Sequence, residues 1–174
     1  MRCAMGSFNE SPSRDRRENI STGTLVRAPA LEEIAMSRRL RVLLVEDSKV
    51  LAERLTEAIR QIPDVDLIGT ADSEAAALAA VKRDCVDVII LDLHLKQGTG
   101  FGVMRMLAAT PMKPRIIVLT NYDLPEYKNA AIALGAAHFL DKARDYGRLP
   151  EVLREICEAH LAKNDAPADV APRG

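Results

Sequence analysis

The chain has no tryptophan and only three tyrosines and three phenylalanines among its 174 residues. Because 48% of the residues are nevertheless hydrophobic, the core of the fold must be built from aliphatic side chains. The chain also lacks an excess of either charge: its net charge of -1 gives no electrostatic reason to expect binding to nucleic acid or to an anionic membrane. A length of 174 residues suits one domain with additional segments.

Cysteines and long apolar runs are also scarce. The three cysteines Cys3, Cys85 and Cys157 are odd in number and far apart, so we expect no disulfide framework and a reducing compartment. No apolar run approaches the roughly 20 residues that cross a bilayer, and the N-terminus has no apolar stretch of the signal-peptide type. We therefore expect a soluble, cytoplasmic protein without a membrane partner.

The two ends of the chain differ in composition from its middle. Residues 1–38 are rich in Arg, Ser, Asn, Glu and Gly, and the sequence predicts a disordered tail there, with a short helix near residues 30–37 at most. Met36 offers an alternative translation start, which would leave residues 1–35 outside the protein. Residues 164–174 are predicted to form a second, flexible tail. Residues 39–163 then form the single folded domain.

Between these tails, strand-like apolar runs alternate with helical patterns. The runs cover residues 41–46, 65–70, 86–91, 115–120 and 137–140. The third and fourth runs are almost continuously apolar, which is typical of parallel strands covered on both faces. The alternation predicts an α/β fold with three layers: a (βα)₅ chain with a doubly wound, five-stranded parallel sheet in the flavodoxin-like order 2-1-3-4-5.

Charged side chains follow three of the five runs. Glu46 and Asp47 follow the first, Asp92 the third and Lys142 the fifth. The predicted order places strands one and three side by side, so three carboxylates meet at one edge of the sheet and repel one another unless a cation is present. Since Mg²⁺ prefers oxygen ligands, we predict Asp47 and Asp92 as direct ligands, Glu46 as a ligand through water and the backbone carbonyl of His94 as a further ligand.

The same edge has the side chains needed for phosphoryl transfer. Asp92 is the candidate nucleophile, because carboxylates form aspartyl-phosphate intermediates. Phosphoryl transfer depends mainly on positioning and charge neutralisation, and Lys142 offers a point charge for that purpose. Thr120, at the end of the fourth run, offers a hydroxyl to a phosphoryl oxygen. A phosphoryl group adds about -1.5 to -2 charge, and Thr120 and Lys142 can move to meet it.

Residues 40–162 resemble the receiver domain of bacterial two-component response regulators, of the type that consists of a receiver alone. The matching pieces are Val45-Glu46-Asp47, Leu91-Asp92-Leu93-His94-Leu95, Gly100-Phe101, Leu119-Thr120-Asn121 and Leu140-Asp141-Lys142. The resemblance implies that Asp92 accepts a phosphoryl group from a sensor histidine kinase or a phosphotransfer protein, with Mg²⁺ in the site. It also implies that Phe139 turns inward as Thr120 moves. The face formed by the fourth helix, fifth strand and fifth helix would then meet a downstream protein, and a homodimer through the last helix is left open.

Three positions depart from the pattern of that family. Lys96 and Ala143 stand where the family often has proline, and the second of those prolines is commonly cis, so we expect the turn at Ala143 to be relaxed. Asn121 stands where a small residue is frequent, so access to the aspartate is expected to be narrower. None of these departures removes a catalytic group.

The sequence is compatible with several functional hypotheses. Only one helix and a short tail follow Lys142, so we expect a stand-alone switch rather than an enzyme, with output through protein contacts or onward phosphotransfer and no direct contact with nucleic acid. The alternatives are a pseudo-receiver that binds partners without phosphorylation and a phosphatase with an aspartyl intermediate. The phosphatase usually needs a second acid two residues after the nucleophile, where His94 stands. The near-neutral charge and the lack of a DNA-binding motif disfavour transcriptional control through DNA.

Overall fold

The computed structural model describes residues 39–165, in which strands and helices alternate. The strands are β1 (Leu40–Val45), β2 (Val65–Ala71), β3 (Val88–Leu91), β4 (Arg115–Thr120) and β5 (Ala136–Asp141). The helices are α1 (Lys49–Arg60), α2 (Glu74–Arg83), α3 (Gly100–Ala108), α4 (Pro125–Ala133) and α5 (Leu149–Asp165), the last preceded by a 3₁₀ turn at Tyr146–Arg148. The predicted tail at 1–38, with its short helix, and residues 166–174 of the second tail lie outside the described residues.

All neighbouring strands in the sheet are parallel, and their order is β2-β1-β3-β4-β5. The predicted fold class and strand order are therefore confirmed, and the observed strand ends differ from the predicted ones by at most two residues. β1 and β3 pair directly, with Val45 opposite Leu91 at their carboxyl ends. The residues that follow these two strands consequently leave the sheet side by side.

Aliphatic side chains on alternating positions of the strands fill two cores, one on each face of the sheet. On β1, Val42 and Leu44 pack against α1 and α5, whereas Leu43 and Val45 pack against α2, α3 and α4. This alternation follows from the strand period of two residues, which sends successive side chains to opposite faces. The three-layer, doubly wound architecture expected from the sequence is confirmed.

Hydrogen bonds at the start of two helices, α3 and α1, differ in kind. α3 starts at Gly100, because the hydroxyl of Thr99 accepts a hydrogen bond from the amide of Gly102 at 2.9 Å and caps the first turn. Ser48 stands at the corresponding position of α1, but its side chain makes no capping bond. Its amide instead donates to Oε1 of Glu46 at 3.1 Å, so the entry to α1 is tied to a candidate site residue.

The longest helix, α5, has 17 residues and includes charged positions along its length. Among residues 39–165, no helix has both the length and the apolar character that crossing a membrane requires.

Candidate functional site

The buried polar residues of the described chain share one location. All of them end a strand or directly follow one at the carboxyl edge of the sheet: Glu46 after β1, Asp92 after β3, Thr120 at the end of β4 and Asp141 at the end of β5. Burying a charged group costs free energy unless a partner compensates it. Each of these side chains therefore needs a hydrogen-bond donor or a cation nearby.

Lys142 supplies that cation for two of the acids. Its Nζ lies 2.5 Å from Oδ2 of Asp92 and 2.7 Å from Oε2 of Glu46. The three side chains are almost closed off from solvent, with 7% of Lys142, 7% of Asp92 and 2% of Glu46 exposed. Charge-assisted hydrogen bonds of this kind are stronger than neutral ones. The structure thus brings together three residues that the sequence assigned to three different strand ends.

The Glu46 carboxyl has a raised pKa even though Lys142 pairs with it. Burial raises the pKa of Glu46 above its ordinary value, and the nearby charge of Asp92 acts in the same direction. The hydrogen bond and charge of Lys142 and the hydrogen bond from the amide of Ser48 oppose the rise in pKa without cancelling it. A further cation near Glu46 would act in the same direction as Lys142 and lower the pKa of this carboxyl.

Asp47 completes a group of oxygen donors that fits a divalent ion. One carboxylate oxygen each from Glu46, Asp47 and Asp92 lies within 4.8 Å of the other two. Three carboxylates carry -3, while the buried Lys142 and the exposed Lys96 beside Asp47 carry +1 each, which leaves -1. An all-oxygen donor set with that charge suits a hard cation such as Mg²⁺. The side chains present are thus compatible with the metal expected from the sequence.

A cavity of about 300 Å³ opens at these acids. It is lined by Glu46, Asp47, Ser48, Leu51, Asp92, His94, Asn121, Tyr122 and Lys142. The amide of His94 donates to Oδ1 of Asp92 at 3.1 Å, and the rings of His94 and Tyr122 lie 5.2 Å apart between centroids.

Neither Thr120 nor Phe139 is among the residues that line this cavity. Thr120 has 0% of its surface exposed, its hydroxyl accepts a hydrogen bond from the amide of Tyr122 at 3.4 Å, and its carbonyl accepts one from the amide of Lys142 at 2.8 Å. Phe139 is partly buried and packs against the core on the α2, α3 and α4 face of the sheet. The switch roles of these two residues stay predictions.

Lys96 is a site contact that sequence reasoning missed. Its amide donates to Oδ2 of Asp47 at 3.1 Å, and its Nζ donates to the backbone carbonyl of Asp47, also at 3.1 Å. The sequence marked Lys96 only as a departure from the family pattern. The contact joins residues that are 49 positions apart, and no local pattern predicts such a pairing.

Glu74 was missed as well, although it holds the loop between β3 and α3. Its Oε2 accepts a hydrogen bond from the amide of Thr99 at 2.9 Å, and its own amide donates to the carbonyl of Gln97 at 3.1 Å. A Cβ added at Gly98 or Gly102 would collide with the Glu74 side chain. These two glycines were the available signal, because glycine permits the close approach of another chain segment.

Asp141 fastens the turn that carries Lys142. Its Oδ1 accepts hydrogen bonds from the amides of Ala143 at 2.7 Å and Arg144 at 2.8 Å. The turn was expected to be relaxed because Ala143 replaces a proline. In the structure, Ala143 contributes an N–H group, which proline lacks, and Asp141 accepts its hydrogen bond. The relaxation of this turn stays a prediction.

The family model described as the response regulator receiver domain matches residues 42–154. The transcriptional regulatory protein CitB of Klebsiella pneumoniae is 35% identical over 114 residues, which cover 66% of this chain and 49% of that protein. The DNA-binding transcriptional activator DevR/DosR of Mycobacterium tuberculosis is 33% identical over 102 residues, which cover 59% of this chain and 47% of that protein. The chain thus spans about half the length of these relatives.

A solved structure supports the fold alone. The response regulator domain of CheB from Thermotoga maritima has a TM-score of 0.62 to this chain at 21% identity, and the match covers 71% of this chain and 97% of that domain.

The expectation that nucleic acid has no direct part in the function is wrong on these comparisons. A relative that matches this chain is named as a DNA-binding transcriptional activator, and another as a transcriptional regulator. The net charge of -1 describes this chain alone. Relatives about twice as long have surfaces whose charge this sequence does not report.

Proposed function

This chain belongs to the response regulator receiver domain family, and from that premise we propose that it is a phosphoacceptor switch in which Asp92 is the phosphorylated residue. Proteins of this family are signalling proteins. The phosphoryl donor would be a sensor histidine kinase or a phosphotransfer protein of a two-component phosphorelay. A cytoplasmic location belongs to the proposal, because ATP, the ultimate source of the phosphoryl group, is available there.

The observation that carries the proposal is the short contact between Lys142 Nζ and Asp92 Oδ2, at 2.5 Å in a cavity lined by further carboxylates. An oxygen of Asp92 would attack the phosphorus and form an O–P bond. The P–N bond of a phosphohistidine, or the P–O bond of an acyl phosphate, breaks, and the leaving group takes the electron pair. Lys142 would neutralise charge on the phosphoryl oxygens throughout this step.

The metal forms part of the same proposal. Asp47 and Asp92 would hold Mg²⁺ directly, Glu46 would hold it through water, and the carbonyl of His94 would add a further oxygen. When bound, Mg²⁺ supplies positive charge that offsets the charge of the phosphoryl oxygens. The negative charge that remains after both Lys142 and Lys96 are counted supports this assignment.

The phosphoryl group would then change the neighbouring strand end. It adds about -1.5 to -2 charge and strong acceptor oxygens. The hydroxyl of Thr120 would turn to donate to one of these oxygens and lose its hydrogen bond from Tyr122, and Phe139 would move inward after it. A downstream partner would read this change on α4, β5 and α5. The names of the relatives favour control of transcription as the final output.

An intact-mass measurement tests the phosphoacceptor. The full 174-residue chain is incubated with Mg²⁺ and acetyl phosphate, and we expect the mass of one phosphoryl group to be added. Asp92→Asn should abolish the gain. Asp87→Asn is the matched control: this acid precedes β3 at its other end, where its Oδ2 accepts a hydrogen bond from the amide of Arg41 at 2.9 Å, and the variant should still be phosphorylated.

The alternatives give different results in the same experiment. A wild-type chain that never gains the phosphoryl mass, and that binds no Mg²⁺ at millimolar concentration, would be a pseudo-receiver. Steady hydrolysis of a simple phosphomonoester would favour the phosphatase. A gain that persists in Asp92→Asn would mean that the phosphoryl group is attached to another residue.

A further inference from the structure

A second lysine, Lys96, contacts the acidic group from outside the lining of this cavity. It lies against Asp47, whereas Lys142 contacts Glu46 and Asp92. The Nζ of Lys96 lies 3.9 Å from Oδ2 of Asp47 and donates to the Asp47 carbonyl at 3.1 Å, while the Lys96 amide donates to the same Oδ2 at 3.1 Å. In the part of the chain that the structure describes, Lys96 is the one cation within 4.0 Å of the Asp47 carboxylate.

The two lysines differ in how firmly they are held. The side chain of Lys142 is 7% exposed and bridges two buried acids, so its charge is a permanent part of the site. The side chain of Lys96 is 75% exposed and its ammonium makes one hydrogen bond. Lys96 can therefore leave Asp47 at a modest free-energy cost, because water replaces part of the contact that it loses. The amide of Lys96 can keep its bond to Asp47 in either case.

We propose that Lys96 is a built-in competitor for the divalent metal: its ammonium neutralises Asp47 in the metal-free site and weakens Mg²⁺ binding. The inference rests on the proposed function, since it concerns the same metal. Lys96 thereby sets the Mg²⁺ concentration at which the switch can be phosphorylated. A cation that enters next to Asp47 must either displace this ammonium or bear its repulsion, and Coulomb's law with solvent screening gives about a threefold to tenfold effect on the dissociation constant.

Binding of the metal alone tests this without any phosphorylation. MgCl₂ is titrated into the ¹⁵N-labelled full chain, and the dissociation constant is read from amide chemical shifts for the wild type, Lys96→Gln and Lys96→Arg. Lys96→Gln should bind Mg²⁺ about threefold to tenfold more tightly at low salt, and Lys96→Arg should bind it like the wild type. The difference should shrink as salt is added, because the contact is exposed.

Lys113→Gln is the matched control. Lys113 is also exposed and its Nζ also donates to a backbone carbonyl, that of Ala108 at 3.0 Å, but it lies in the segment before β4, at the opposite edge of the sheet. Its substitution should leave Mg²⁺ binding unchanged. An equal gain in affinity in this variant would overturn the inference, since the effect would then come from the overall charge.

The remaining outcomes separate the inference from the proposed function. If the wild type binds Mg²⁺ and is phosphorylated while Lys96→Gln binds Mg²⁺ with the same affinity, the inference alone fails. Weaker binding by Lys96→Gln also overturns it, because the side chain would then order the loop between β3 and α3 rather than compete. A wild type that binds no Mg²⁺ overturns the proposed function, and the inference with it.

Discussion

Both edges of the sheet contain charged residues, but the two sets of charges differ in their burial and in their partners. At the carboxyl edge, Glu46 and Asp92 are buried against the ammonium of Lys142. At the amino edge, Asp87 is only partly buried and its carboxylate accepts a backbone hydrogen bond, while Arg115 is exposed. The same strands thus begin among exposed or partly buried charges and end at a cluster of buried charges.

This contrast locates the free-energy cost of burying charged groups at the carboxyl edge of the sheet. At the amino edge, Asp87 accepts one amide hydrogen bond, and removal of an exposed charge there should affect little else. The charges at the carboxyl edge depend on one another, because each loses its hydration on burial and recovers the loss only through a partner. The raised pKa of Glu46 is a direct sign of that cost. The candidate site coincides with the edge that carries the cost.

Removing the buried lysine should have the largest effect. In Lys142→Met, Glu46 and Asp92 remain buried without their cation, and loss of one partner from a buried ion pair costs about 3–5 kcal/mol. We expect a decrease of that size in the free energy of unfolding, measured by urea denaturation in the absence of metal. Millimolar Mg²⁺ should restore part of the loss, because it binds the folded state.

The exposed lysine before β4 provides the comparison. Lys113→Met should change the free energy of unfolding by less than about 0.5 kcal/mol, as is usual for surface substitutions. If Lys142→Met were as stable as the wild type without metal, the carboxyl edge would carry no special cost and the contrast between the edges would be lost.

A smaller effect on the free energy of unfolding is expected where Glu74 packs against the start of α3, and its sign should depend on whether Glu74 is present. Gly102→Ala in the wild type places a Cβ against the Glu74 carboxylate, and we expect it to destabilise the fold by about 1–3 kcal/mol. In a Glu74→Ala background the collision disappears. Gly102→Ala should then stabilise the fold by about 0.5–1 kcal/mol, because Gly102 lies within α3 and glycine loses more conformational freedom in a helix than alanine does.

Urea denaturation of the wild type, the two single variants and the double variant measures this cycle. Equal effects of Gly102→Ala in both backgrounds would show that Glu74 does not pack against the start of α3. The loop that contains His94 and Lys96 would then be held by other contacts.

The smallest effect is expected for a thiol at the amino edge. Cys157 on α5 donates to the carbonyl of Asp64 at 3.4 Å, and burial raises the pKa of its thiol, with the charge of Asp64 acting in the same direction. Because the folded state holds this proton more tightly than the unfolded state, the stabilisation is complete below the unfolded pKa. It is lost as pH rises through the folded pKa.

The wild type should therefore lose free energy of unfolding as the pH rises from about 8 to about 10, and Cys157→Ala should lose less. We expect the two losses to differ by less than about 1 kcal/mol. The substitution also removes packing, but that loss is independent of pH and shifts the whole curve. Urea denaturation across this range checks the slope. Parallel curves for the two proteins would show that the thiol does not ionise differently in the two states.

The sequence by itself determined the layers of the fold and the edge at which the acids gather. Apolar runs of strand length that alternate with helical patterns leave few ways to pack other than a parallel sheet covered on both faces. In such a sheet every strand ends at the same edge, so Glu46, Asp92 and Lys142 could be assigned to one place from their positions after the strands. Reading periodicity along the chain is sufficient for both conclusions.

Only the tertiary structure decided which side chains touch at that edge. Lys142 bridges Glu46 and Asp92, Lys96 reaches Asp47 across 49 positions, and Glu74 holds the residue that precedes α3. These pairings depend on the paths of loops, where backbone geometry follows individual hydrogen bonds rather than a repeating pattern. A side chain several bonds long can reach any of several neighbours, and the packed fold alone selects one of them.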